Sequence, residues 1–152
     1  MPEEQEETPL ATKIDQLLTE ARVIIPGGQA LLGFQLIATL TTAFTELPDT
    51  AKYVHIAALC AVALAVTLLM TPAALHRIAY RGEDTRAFLV IGSVLVVAAA
   101  VPLAVGFSAD VYVAFLRATG SSVAAVSASV VSMLVVSALW FGYPAAVRRH
   151  SR

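Results

Sequence analysis

Residues 87–109, AFLVIGSVLVVAAAVPLAVGFSA, contain no Asp, Glu, Lys or Arg. A helix crosses the hydrocarbon core of a bilayer with about 20 apolar residues, because its backbone polar groups are satisfied inside the segment. This run meets that length. So do residues 23–45, 53–75 and 118–147, which are equally free of those four residue types. One such run suits a buried helix of a water-soluble domain; four in a chain of 152 residues do not. The composition agrees, at 58% hydrophobic and 14% charged with a mean hydropathy of +0.77. Soluble domains average about 45–50% apolar and about 25% charged. The expected fold is an all-α membrane protein: four transmembrane helices in an antiparallel bundle, preceded by a short amphipathic helix. The spans are set at 23–45, 53–75, 87–109 and 118–143.

The flanks divide the rest of the chain. Residues 1–9 carry Glu3, Glu4, Glu6 and Glu7 and are expected to form a solvated, disordered tail. They lack the basic start and apolar middle of a signal peptide. Over residues 10–22, Leu10, Ile14, Leu17, Leu18 and Ala21 recur at helical spacing, with Lys13, Asp15, Gln16 and Glu20 between them. That pattern predicts an amphipathic helix at the membrane surface or against the bundle, with Thr12 as its cap. Asp49 and Asp84 are the expected caps of the second and third spans, and Gly82 the stop of the second. Residues 108–119, with Asp110 and Arg117, read as a loop. Residues 148–152 form a basic tail.

Basic residues set the orientation. Lys13, Arg22, Arg77, Arg81, Arg86, Arg148, Arg149 and Arg152 fall on one side, and Lys52 and Arg117 on the other. The positive-inside rule places both termini in the cytoplasm.

The first span is the most polar. Gly28, Leu32, Gln35, Thr39, Thr42 and Glu46 follow a 4-3-4-3-4 spacing, so they share one stripe of a helix. An amide in hydrocarbon is costly and turns toward protein or water. Near the start of the second span, His55 matches the depth of residues 42–46 in an antiparallel hairpin. A His55–Glu46 pair is expected there, with histidine the one side chain that ordinarily changes charge near neutral pH. Gln35, Thr39, Thr42, Glu46 and His55 are the candidate polar path. At the other end, Glu20, Arg22, His76 and Arg77 share a depth and form a candidate clasp or headgroup site. Gln29 and Gly33, with the four-residue spacing of Ser121, Ala125 and Ser129, mark close helix packing. Pro72 and Pro102 are expected to kink their spans. Trp140 and Tyr143 fall where an aromatic belt belongs.

Several chemistries have no residues to perform them. Cys60 is the single cysteine, so there is no dithiol and no cysteine cage. No HExxH zinc motif and no glycine-rich phosphate loop occurs. His55 and His76 sit at opposite ends of one span, so they cannot clamp a haem together. No serine of the fourth span has a His or acid near it in sequence. A net charge of −1 gives no reason to expect nucleic acid. No cofactor, metal or catalytic residue is expected, and on this division no carboxylate falls mid-span.

The run Glu20-Ala21-Arg22-Val23, then Pro26-Gly27-Gly28-Gln29-Ala30-Leu31-Leu32-Gly33-Phe34, and later Pro72-Ala73-Ala74-Leu75-His76-Arg77, resembles an uncharacterised family of small four-span bacterial membrane proteins. Some of its members carry the label sodium:proton antiporter. The resemblance covers most of the chain from Lys13 onward. It implies a four-helix protein of the bacterial inner membrane, and it transfers no catalytic residue and no tested activity.

Two functions of different kinds follow. One is a non-enzymatic, self-associating module that packs against its own copies, lipid or another membrane protein. The other is an oligomeric channel or an ion or proton transporter, with its path along the first span.

Overall fold

The computed structural model describes residues 8–150. The acidic tail expected over residues 1–9 lies outside them apart from Thr8 and Pro9, as do Ser151 and Arg152 of the basic tail. Helix α1 is Leu10–Thr39 and α2 a single turn, Thr42–Thr45; α3 is Asp49–Ile78, α4 is Arg86–Thr119 and α5 is Ser122–Ser137. A π turn over Ala138–Gly142 joins α5 to α6, Tyr143–His150. No strand occurs among the described residues. Four stretches are long and apolar enough to cross a membrane: Leu10–Thr39, Asp49–Ile78, Arg86–Thr119 and Ser122–His150. The expected all-α, four-span architecture is the observed one.

The boundaries differ in instructive ways. The amphipathic segment over residues 10–22 is not a separate element. It continues through Pro26 as one helix with the first span. Its apolar side meets the bundle, where Ile14, Leu17 and Phe88 form a buried cluster. Thr12 does not cap it: the cap position is Pro9, whose carbonyl accepts from Lys13 N. At its other end α1 stops at Thr39, short of the expected residue 45. Thr39 and Thr41 each turn a hydroxyl onto a backbone carbonyl, of Leu36 and Ala38, and such bonds compete with helix continuation. Pro48, not Asp49, holds the cap position of α3, and Thr85, not Asp84, caps α4 by accepting from Phe88 N. Gly82 does serve as the stop after α3, with φ +83° and its N–H donated to His76 O at 2.8 Å.

The largest departure is α4. It does not end near residue 109 but runs to Thr119, where Gly120 at φ +65° closes it. Nothing between Pro102 and Gly120 breaks a helix. At 1.5 Å per residue, α4 is about 50 Å long, well beyond the hydrocarbon thickness. Asp110 and Arg117 therefore sit on a helix rather than in a loop.

Packing centres on α3 and α4, with α1 laid across both and α5 against α4. Gly106 sets the α3–α4 approach, since a Cβ there would lie 2.5 Å from Val62 Cγ2 and 3.0 Å from the Ala58 carbonyl oxygen. Gly28 does the same for α1 and α3, where a Cβ would lie 2.9 Å from Val66 Cγ2. Of the residues in α5, only Ala125 is buried. The α1–α3 and α4–α5 connections share one end of the bundle, called here the turn end. The α3–α4 connection, Leu10 and His150 share the other, the terminal end.

Candidate functional site

Gln35, His55 and Ser108 are the buried polar residues among those described, and all three lie in the turn-end half. Each of α1, α3 and α4 supplies one member of a cluster there. From α1, Gln35 is 3% exposed, and its Nε2 donates to Asp110 Oδ2 on α4 at 2.7 Å. From α3, His55 Nε2 lies 3.0 Å from the Gln35 backbone carbonyl oxygen. A carbonyl only accepts, so Nε2 carries the proton. His55 Nδ1 faces Asp110 Oδ1 at 3.9 Å, an ion-pair distance but too long for a hydrogen bond. The rings of Phe44 and His55 pack edge to face, with centroids 5.3 Å apart.

The cluster opens into a cavity of about 340 Å³. Its α1 wall is Leu31, Phe34, Gln35 and Ala38, and its α4 wall is Asp110, Val113, Ala114 and Arg117. Both sets follow i, i+3, i+4, i+7, the single face of a helix. Ala43, Phe44, Leu47 and His55 close it. At the mouth, Arg117 Nη2 donates to Glu46 Oε2 at 2.6 Å, and both side chains are more than half exposed. Asp110 lies nine residues before the end of α4, about 14 Å along its axis. Toward the terminal end the interior is apolar, with Val62, Ala65, Val66, Leu69 and Ala99 buried. The cavity is thus a pouch that stops short of the terminal end.

Two atoms in it have no hydrogen-bond partner among the described residues. The bond to Asp110 fixes the Gln35 amide and turns Oε1 away, leaving it buried and unpaired. Asp110 Oδ1 has only the distant His55 Nδ1. The cavity therefore presents one carboxylate oxygen as a free acceptor, with a second acceptor, Gln35 Oε1, covered within the same cluster. That arrangement suits a positively charged hydrogen-bond donor.

The expected polar path is only partly assembled. Gln35 and His55 come together, but the His55–Glu46 pair does not form. The break after Thr39 carries Glu46 onto an exposed turn, where it meets Arg117, and Asp110 takes the place beside His55. Thr39 returns its hydroxyl to Leu36 O, and Thr42 is exposed. Neither lines the cavity. Asp110 went unrecognised because it was read as a loop residue. The signal was its seven-residue spacing to Arg117, with no helix breaker between them.

At the terminal end, Arg22, His76 and Arg77 line a cavity of about 270 Å³ with Leu18 and Ala21. Glu20 is not among them. His76 faces Asp84 instead, 3.4 Å from Nε2 to Oδ1, and its ring packs on Phe88 with centroids 4.7 Å apart. Of the expected packing residues, Ala125 is buried, and Ser129 donates to Ser108 O at 2.8 Å. Ser121 caps α5 by accepting from Ala124 N. Gln29 is exposed, and a Cβ on Gly33 would meet nothing within 4 Å.

Residues 3–144 match the family model of DUF6328, a family of unknown function. The chain belongs to DUF6328. The match covers α1 to α5 and every residue of the pouch. No curated protein and no solved structure matches the chain. For DUF6328, then, the geometry of the Gln35–His55–Asp110 cluster is the ground for a functional reading.

Proposed function

We propose that this DUF6328 protein is a non-enzymatic membrane protein that moves protons or a small cation by alternating access to the Gln35–His55–Asp110 site. One observation carries the reading: a carboxylate inside a span helix faces a histidine nitrogen in a pouch at the turn end. Ionisable groups at that depth are expensive, and where they persist they usually mark ion or proton pathways. The apolar layer of Val62, Ala65, Val66, Leu69 and Ala99 favours alternating access over a continuous pore. His55 and Asp110 supply the proton-accepting atoms, Gln35 orients the carboxylate, and Glu46 with Arg117 flanks the mouth. On the positive-inside rule the terminal end is cytoplasmic, and in a bacterial inner membrane the pouch would then load from outside.

The test is proton and sodium flux into liposomes holding the purified protein, under imposed gradients at several pH values. Flux above that of empty liposomes is expected, and loss of it in Asp110→Asn and His55→Ala. Absence of flux from folded wild-type protein overturns the reading and leaves the cluster as a tie between helices.

A second reading, self-association through α1, has its own support. Gln29 lies near the middle of a span and points outward, with open space at Gly33 one turn on. A second copy laid on this face would pair the amides and use the glycine for close approach. Gln29→Leu should then lower the oligomer mass measured by light scattering in detergent. An unchanged mass, or a monomeric wild type, removes this reading.

A further inference from the structure

We propose that the turn-end pouch binds a small primary organic ammonium ion, its nitrogen on Asp110 Oδ1, with Gln35 Oε1 drawn onto it by a turn of the amide, and its apolar group against Phe34, Phe44 and Leu47. The inference rests on the transport reading of the same site and names the class of its cargo.

Charge comes first. Glu46 and Arg117 neutralise each other at the mouth, 2.6 Å apart. That leaves Asp110 as the one uncompensated charge of the pouch while His55 is neutral, and it calls for one positive charge. Hydrogen bonding comes second. Gln35 Oε1 is buried without a donor, and an unmet acceptor there is costly. Asp110 Oδ1 also lacks one. An –NH3+ group brings three donors, enough to meet Oδ1 and to draw in Oε1 once the Gln35 amide turns.

The walls then separate ammonium from metal. A hard cation surrounds itself with about six oxygens or more. Here two oxygens at most are on offer, among aliphatic and aromatic carbon. Phe34 and Phe44 line the cavity, and an aromatic ring attracts an ammonium as well as the apolar group it carries. A volume of about 340 Å³ sits at the small end of ligand cavities, which run to about 1,000 Å³. The guest is therefore compact, with a single ring or a short branched chain.

Ammonium and proton compete in this arrangement. A proton on His55 Nδ1 would point at Asp110 Oδ1, the oxygen the ammonium needs. The charged and titratable groups around that oxygen are His55 from α3, Arg117 from α4 and Glu46 after α2. From α1 the contribution is the uncharged Gln35, and α5 brings Ser129 and Ser132 to this level. Binding of the cation thus favours loss of a proton from the site, and affinity rises with pH.

The experiment measures benzylammonium binding to the full-length protein in detergent by calorimetry, at about pH 5 and about pH 8. Benzyl alcohol, benzyltrimethylammonium and sodium serve as comparison probes. Benzylammonium should bind, more tightly at the higher pH. Asp110→Asn should weaken it at least about tenfold, as removing one member of a desolvated charge pair does. Gln35→Leu should weaken it by a smaller factor, and benzyltrimethylammonium, which has no N–H, should bind less well than benzylammonium. Equal binding of the alcohol, unchanged binding in Asp110→Asn, or full competition by sodium overturns the inference. Should Asp110→Asn fail to fold, Gln35→Leu and the pH dependence decide. Proton flux without added ammonium is followed in parallel. Flux without ammonium binding removes the cargo and spares the transport reading. Ammonium binding without flux of any probe spares the site and removes transport.

Discussion

At the terminal end, Phe88 of α4 is fully buried against Ile14 and Leu17 of α1, with the rings of His76 and Tyr80 from the α3 side. At the turn end the same three long helices meet through Gln35, His55 and Asp110. The first contact depends on shape, and many apolar side chains would satisfy it in part. The second depends on direction and charge, and each member fits one partner. Lipid is as apolar as leucine, so helix association in a membrane draws on close packing more than on burial. The terminal end is therefore where mutation should cost stability, and the turn end where it should cost function.

Substitutions can break or sharpen that contrast. The largest stability loss is expected from Phe88→Ala, about 3 kcal/mol by the measure of large-to-small core changes, read from unfolding in mixed detergent. Protein that remains folded should keep its flux. Gly106→Val comes next, at about 1–3 kcal/mol, because its side chain would press on Val62 and on the Ala58 carbonyl. In contrast, Asp110→Asn should cost only about 1 kcal/mol, the scale of interhelical hydrogen bonds in membranes, while abolishing flux. If it destabilises as much as Phe88→Ala, the two ends do not differ and the cluster is structural. Glu46→Gln should change stability least, by under about 1 kcal/mol, since its partner Arg117 is exposed. Any effect it has on flux should fade as salt screens the mouth.

The site was half legible before its geometry was known. Gln35 stood out because an amide in an apolar run must find a partner, and His55 because hairpin depth placed it near the same level. The hairpin argument then chose the wrong acid. It assumed that the first span continued to residue 45, which would have kept Glu46 on the Gln35 stripe. Threonine hydroxyls ended the helix at Thr39 and moved Glu46 to the surface. Asp110 was missed for the converse reason, a helix that ran ten residues further than its apolar run. In both cases charge was used to draw a boundary that hydrogen bonding and glycine set instead. The terminal clasp is assembled in part, with Arg22, His76 and Arg77 around one cavity and Glu20 outside it. Depth alone grouped Glu20 with His76, but side-chain direction gave His76 to Asp84.

The lengths and apolar character of four runs were enough to determine the class of this protein, all-α with four helices able to cross a membrane. These properties depend on transfer between water and lipid, which each segment undergoes by itself, so they are written locally in the chain. Tertiary structure decided which acid meets His55, that the pouch stops short of the terminal end, and which glycines lie at helix crossings. Those depend on the rotation and depth of each helix against its neighbours. A one-residue change in where a helix ends does not alter its apolar length. Helix ends decide which side chains meet, and only the packed bundle specifies them.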